Sequence, residues 1–166
     1  MDLYISPAVA SAVRVCVDKY NDSDWSGRIY TRINKEPISF RNIGEMLDRM
    51  ENIWNTIGFP QEATINRSFR NRKIQNEKTE SIRVTYLENN TKDKIKVELS
   101  EADMDKKRGE QDTFIVRIQY RQNASWQGHV TWVDENRTVP FRSALELIKL
   151  LDSTQNDEAD EWKKEA

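Results

Sequence analysis

The stretch Trp25-Ser26-Gly27-Arg28-Ile29-Tyr30 returns as Trp126-Gln127-Gly128-His129-Val130-Thr131, 101 positions further along the chain. The same offset, with no gap, lays Phe40-Arg41 over Phe141-Arg142 and Glu45 over Glu146. Upstream it lays Val13, Val15 and Val17 over Phe114, Val116 and Ile118. Conservative pairs lie between these anchors: Ile29/Val130, Ile38/Val139, Met46/Leu147 and Met50/Leu151. Self-similarity at one fixed spacing predicts an internal repeat.

Each copy has the same physical pattern. Alternating apolar residues at 13, 15 and 17, and at 114, 116, 118 and 120, have the period of two that marks a half-buried strand. Asn21-Asp22-Ser23 and Gln122-Asn123-Ala124-Ser125 are turn material. A second strand runs from Trp25 to Ile33 and from Trp126 to Val133, with tryptophan and glycine two apart on one face. A short third strand ends at Phe40 or Phe141, with Pro37 and Pro140 suited to a strand end or sheet edge. Asn42-x-x-Glu45 and Ser143-x-x-Glu146 then read as capping boxes opening helices. In the first helix, Ile43, Met46, Leu47, Met50, Ile53, Trp54 and Ile57 make a 3.6-period stripe, which Gly58 and Pro60 end. The second helix reads as shorter.

The expected fold is therefore α+β, with two repeats of a three-stranded antiparallel sheet followed by a helix, flanking an insertion. The expected units are residues 1–61, the insertion 62–112, 113–152, and an acidic tail 153–166. In the insertion, Ile82-Val84-Tyr86 and Ile95-Val97-Leu99 predict a hairpin across Asn89–Asp93. Asp103 to Gly109, with Lys106-Lys107-Arg108, reads as an exposed loop.

Tyr120 to Gly128, followed by Phe141-Arg142-Ser143-Ala144-Leu145-Glu146-Leu147, resembles a family of small clostridial-type bacterial proteins. That resemblance implies a bacterial protein and brings no function with it. Three strands followed by a helix is also similar in layout to AP2-type and integrase-arm domains, which lay a sheet in the DNA major groove. That likeness is one of architecture only.

The 166 residues are 33% charged and 37% hydrophobic, with a net charge of −2. The acids concentrate at the end, where Asp152, Asp157, Glu158, Asp160, Glu161 and Glu165 face only Lys163 and Lys164. A single cysteine, Cys16, excludes an intramolecular disulfide framework, and no apolar run has membrane-spanning length. The expectation is a cytoplasmic protein with no membrane contact.

Nucleophilic catalysis needs a nucleophile and a base, and Cys16 and His129 are the only residues of their types. Clusters with metal-ligand spacing and glycine-rich phosphate loops are missing, so no cofactor and no metal are expected. Glu45 and Glu146 form a symmetric carboxylate pair, for which capping is the simpler account. No catalytic residue is assigned.

The remaining candidates are cationic. Alternation turns Arg14, Arg28 and Arg32 outward in the first repeat, with Tyr30 beside them, and Arg117, Arg121 and His129 in the second. Arg67, Phe69, Arg70, Arg72 and Lys73 form the densest basic run. Cationic surfaces bearing aromatics hold nucleic acid through phosphate contacts and stacking. The sequence therefore points to a non-enzymatic binding or regulatory protein with nucleic acid as its ligand. The alternative is an adaptor for an acidic protein partner, and an enzyme with an inter-repeat cleft ranks last.

Overall fold

The computed structural model of the chain describes residues 2–60, 69, 94–121 and 125–155. In chain order it contains β1 (Tyr4–Ile5), α1 (Pro7–Ala10), β2 (Val13–Asn21), β3 (Asp24–Tyr30), β4 (Ile38–Phe40) and α2 (Ile43–Ile57). There follow β5 (Ile95–Lys96), α3 (Glu101–Asp105), β6 (Asp112–Tyr120), β7 (Gln127–Trp132), β8 (Arg137–Phe141) and α4 (Ala144–Asp152). One-turn 3-10 segments sit at Val133–Glu135 and Ser153–Gln155. The fold is α+β, as the alternation and the capping signals predict.

The two three-stranded units are not separate sheets. They join through β2 and β6 into one six-stranded antiparallel sheet of order β4-β3-β2-β6-β7-β8. Val13 pairs with Val116 and Val15 with Phe114, while Arg14 pairs with Ile115. Phe114 and Val116 hold the positions of Val13 and Val15 in the second half, so exchanging the halves returns the same pairing. An approximate twofold axis therefore passes between Arg14 and Ile115. The outer strands obey it too: Val17 faces Gly27 as Ile118 faces Gly128, and Gly27 faces Phe40 as Gly128 faces Phe141. Even the bulges match, lying between Val17 and Lys19 and between Ile118 and Tyr120.

The matched glycines have a steric cause. A Cβ on Gly27 would stand 1.9 Å from the Cys16 carbonyl oxygen, and one on Gly128 would stand 2.0 Å from that of Arg117. Only glycine lets these strands approach so closely.

The inner face of the sheet carries Val13, Val15, Val17, Trp25, Ile29, Phe40, Phe114, Val116, Val130 and Phe141, all buried beneath α2 and α4. Each helix begins at its own edge strand and ends over the other half. Trp54 of α2 meets Trp126 edge to face, with ring centroids 4.8 Å apart, and its indole N–H donates to the Ser11 carbonyl at 2.9 Å. At the other end, Asp152 closes α4 and Gln155 lies just beyond it, and both line a cleft with Tyr20, Ser23, Asp24 and Trp25 of the first half. The two halves thus interlock through both sheet and helices, and bury one common core.

The caps form with one difference from the expected box. Asn42 Oδ1 accepts from the Glu45 N–H (2.8 Å) and Ser143 Oγ from that of Glu146 (3.0 Å). The Glu45 carboxylate, however, reaches back to the Arg41 N–H (2.8 Å) and to the Arg41 guanidinium (2.7 Å). The N-cap N–H itself is not its target.

Candidate functional site

Among the described residues, the sheet's outer face divides into a half that the chain covers and a half that it leaves open. Over the first half runs a strap, residues 94–111, which contains β5 and α3. Its Ile95–Lys96 strand pairs with Tyr4–Ile5, while Ile82, Val84 and Tyr86, the expected hairpin partners, lie outside the described residues. The segment 103–109, expected as an exposed loop, does keep Asp103, Asp105, Lys106 and Arg108 exposed, but it buries Met104 and forms part of this cover. Leu99 and Met104 pack on Cys16 and Tyr30 to form a second, smaller apolar cluster. The Glu98 and Leu99 N–H groups donate to the Arg32 carbonyl at 2.8 and 3.1 Å. Gly109 lies so close to β2 that a Cβ there would stand 2.6 Å from the Val17 backbone.

This cover changes the role of the first-half cations. Arg14, expected to face solvent, is 3% exposed. It donates to the Lys107 carbonyl at 2.7 Å and pairs with Asp105 at 3.7 Å. Burial lowers its pKa. Arg28 grips the Asp18 carboxylate with two donors, at 2.9 and 3.0 Å, and donates also to the Arg108 carbonyl and the Tyr30 hydroxyl. The Asp18 hydrogen bonds raise the Arg28 pKa above its ordinary value. Tyr30 is buried, with Lys107 above its ring, and Arg32 is half-buried. Alternation had put these side chains on the correct face. What it did not contain was the cover, because strap and strands are about 80 residues apart in the chain.

Arg121 is also displaced from its expected outward position. The bulge before Tyr120 shifts the alternation by one residue, so Arg121 points to the inner side and is buried. There it donates to the Pro60 carbonyl at 2.8 Å and to Asn55 Oδ1 at 2.7 Å. Arg67, Arg70, Arg72 and Lys73 lie outside the described residues; Phe69 is exposed.

The corresponding face of the second half is different. By register, Arg14, Cys16, Arg28 and Tyr30 are replaced there by Ile115, Arg117, His129 and Thr131. Arg117 is exposed, and Ile115, His129 and Thr131 are half-buried. The bulge that turns Arg121 inward turns Tyr120 outward, leaving it 54% exposed. Thr131 and Thr138 share a hydroxyl hydrogen bond of 2.8 Å on the same face. Thr113 is buried, its hydroxyl accepting from the Gly109 N–H of the strap at 2.9 Å, and the outward strand positions beyond it, Ile115, Arg117, Tyr120, Gln127, His129, Thr131, Thr138 and Pro140, contain no carboxylate. Arg117 and His129 were legible as candidates. Ile115 and Tyr120 were not, because recognising them needs both the bulge and the extent of the strap.

Two other polar features serve the fold. Asp112, buried at the start of β6, accepts from the Tyr20 hydroxyl (2.7 Å), the Trp132 indole (3.0 Å) and Thr154. Burial, and then the Asp112 hydrogen bond, push the Tyr20 pKa up. Nearby, Tyr20, Ser23, Asp24, Trp25, Asp152 and Gln155 line a cleft of about 190 Å³, below the roughly 300–1,000 Å³ of small-molecule sites.

Cys16 and His129 are on strands separated by β6, so they form no pair. Burial pushes the Cys16 thiol up to about 11, the opposite of an activated nucleophile. Among the described residues no group of three or more His, Cys, Asp or Glu is placed to hold a metal ion, and no helix is long and apolar enough to cross a membrane. No family model, curated protein or solved structure matches the chain.

Proposed function

We propose that the protein is a non-catalytic binding module that recognises another protein through the open outer face of its second half. One observation carries this reading: two equivalent sheet faces exist, and the chain seals one with its own strap while the other presents Tyr120, Arg117, His129 and Ile115. Tyrosine and arginine beside apolar surface are the residue types that dominate binding energy at protein interfaces.

Nucleic acid is the weaker reading. Arg14, Arg28 and Arg121 spend their donors on carbonyls and side chains of their own chain. Arg117 is then the one permanent cation among the outward strand positions of the open face, with His129 beside it. Backbone binding to nucleic acid draws on several phosphate contacts at once.

The test is a photo-crosslinking amino acid placed at position 120 and, separately, at Lys19, its register equivalent on the other half. In the producing cell, position 120 is expected to form discrete protein adducts that Arg117→Glu abolishes, and position 19 none. Adducts to nucleic acid alone, or equal labelling from both positions, would contradict the reading.

A further inference from the structure

We infer that the partner segment which fits this face is a short, acidic, amphipathic helix. The inference rests on the binding role proposed above and names the chemistry of its ligand. Two observations set that chemistry.

The first is the face itself. Its outward strand residues hold one guanidinium and one imidazole and no carboxylate, with apolar surface on either side of Arg117 along β6, the half-buried Ile115 and the exposed Tyr120 ring. Among the described residues Arg117 has no ion-pair partner, and such a cation is complementary to a carboxylate on the partner. The second is the molecule's own solution to covering the equivalent face. There the strap applies a single helical turn, α3, whose Met104 joins Leu99, just before the turn, in the apolar cluster. It brings the Asp105 carboxylate to Arg14. Between Val97 and Asp105 it carries four acids, Glu98, Glu101, Asp103 and Asp105, and no base.

The open face keeps the strand geometry but changes the side chains that meet the cover. Arg14 becomes Ile115, and Cys16 becomes Arg117. Relative to the strap, the partner therefore exchanges positions: an apolar side chain over Ile115 and a carboxylate over Arg117. A helical turn supplies both at i and i+3 or i+4 spacing.

The experiment is a two-dimensional NMR titration of the full chain. The probes are a synthetic acidic peptide, residues 97–105 of this chain (Val-Glu-Leu-Ser-Glu-Ala-Asp-Met-Asp), its Gln/Asn-substituted neutral form, and a lysine-substituted basic form. The acidic peptide is expected to move the resonances of Ile115, Arg117, Tyr120, Thr131 and the single imidazole of His129, while Arg28 and Tyr30, two strands or more away, stay still. Arg117→Ala should weaken that binding about tenfold, as loss of a charge-assisted contact predicts, and 0.5 M salt should weaken it further.

If the neutral or basic form binds this face as well as the acidic one, the acidic partner is refuted and the binding face survives. If none of the peptides moves these resonances, the partner chemistry is wrong. Should an oligonucleotide move them instead, the protein-binding reading fails with it. Concentration-dependent broadening of the same resonances without peptide would make a second copy of this chain the occupant and overturn the inference.

Discussion

Replacing Gly128 by alanine adds one methyl group, and the structure gives that methyl nowhere to go. Its carbon would lie 2.0 Å from the Arg117 carbonyl oxygen and 2.8 Å from the Ile118 Cα, where ordinary contact begins near 3.4 Å. Both obstacles are backbone, so no side-chain rotation relieves them, and β6 and β7 must move apart by about an ångström. Overpacking of that kind costs about 1–3 kcal/mol, and weakening one or two ladder hydrogen bonds adds about 1 kcal/mol. The expected loss is about 3 kcal/mol, a large share of the roughly 5–15 kcal/mol that holds a domain folded. Gly27 meets the same arrangement, with its Cβ 1.9 Å from the Cys16 oxygen, so Gly27→Ala should cost a similar amount. The two glycines lie three strand intervals apart, about 14 Å, far enough for their effects to add within about 0.5 kcal/mol. Urea denaturation followed by tryptophan fluorescence measures the two single variants and the double variant. A loss below about 1 kcal/mol for either alanine, or one loss several times the other, would refute the equivalence of the two halves.

Further outcomes follow from the contacts of the sealed half and the caps. The Cys16 thiol, held up to about 11, should resist alkylation at pH 8 in the native protein. Met104→Ala should speed that reaction by thinning its cover, as mass spectrometry after timed quenching would record; an unchanged rate would detach the strap from this role. Trp54→Phe removes the indole hydrogen bond to the Ser11 carbonyl and should cost about 1–2 kcal/mol in a urea melt. Arg41 hydrogen bonds hold the Glu45 carboxyl down to about 2, against an ordinary 4.5. Its contribution to stability is therefore complete above about pH 4.5 and lost as pH falls toward 2. Melting curves across that window should fall less steeply for Glu45→Gln, and parallel curves would contradict the assignment.

Local signals in the sequence carried the architecture. Alternation at Val13-Val15-Val17 and Phe114-Val116-Ile118 located the central strands, and the N-caps Asn42 and Ser143 located both helices. The 101-residue spacing supplied the register of each half, because Gly27 and Gly128 are demanded by close backbone approach at equivalent positions. The long-range relations were out of reach. Edge-to-edge joining of β2 and β6 leaves no mark in either strand, since a buried strand reads the same with either neighbour. The strap was half legible for a related reason: the Lys106 and Arg108 side chains are exposed as composition suggests, but the Lys107 and Arg108 carbonyls, which composition does not display, are what Arg14 and Arg28 bind. A one-residue bulge reversed Tyr120 and Arg121, and with them the reading of which residue faces outward.

The central claim is that matching strand positions do opposite work, structural under the strap and interactive on the open face. Arg28 and His129 occupy one such matched pair. Urea unfolding of Arg28→Ala and His129→Ala, side by side, tests it most directly. Arg28→Ala strips Asp18, Tyr30 and the Arg108 carbonyl of their partner and should lower stability by about 2 kcal/mol. His129→Ala should stay within about 0.5 kcal/mol of the parent. Equal losses, or the larger loss at His129, would contradict it.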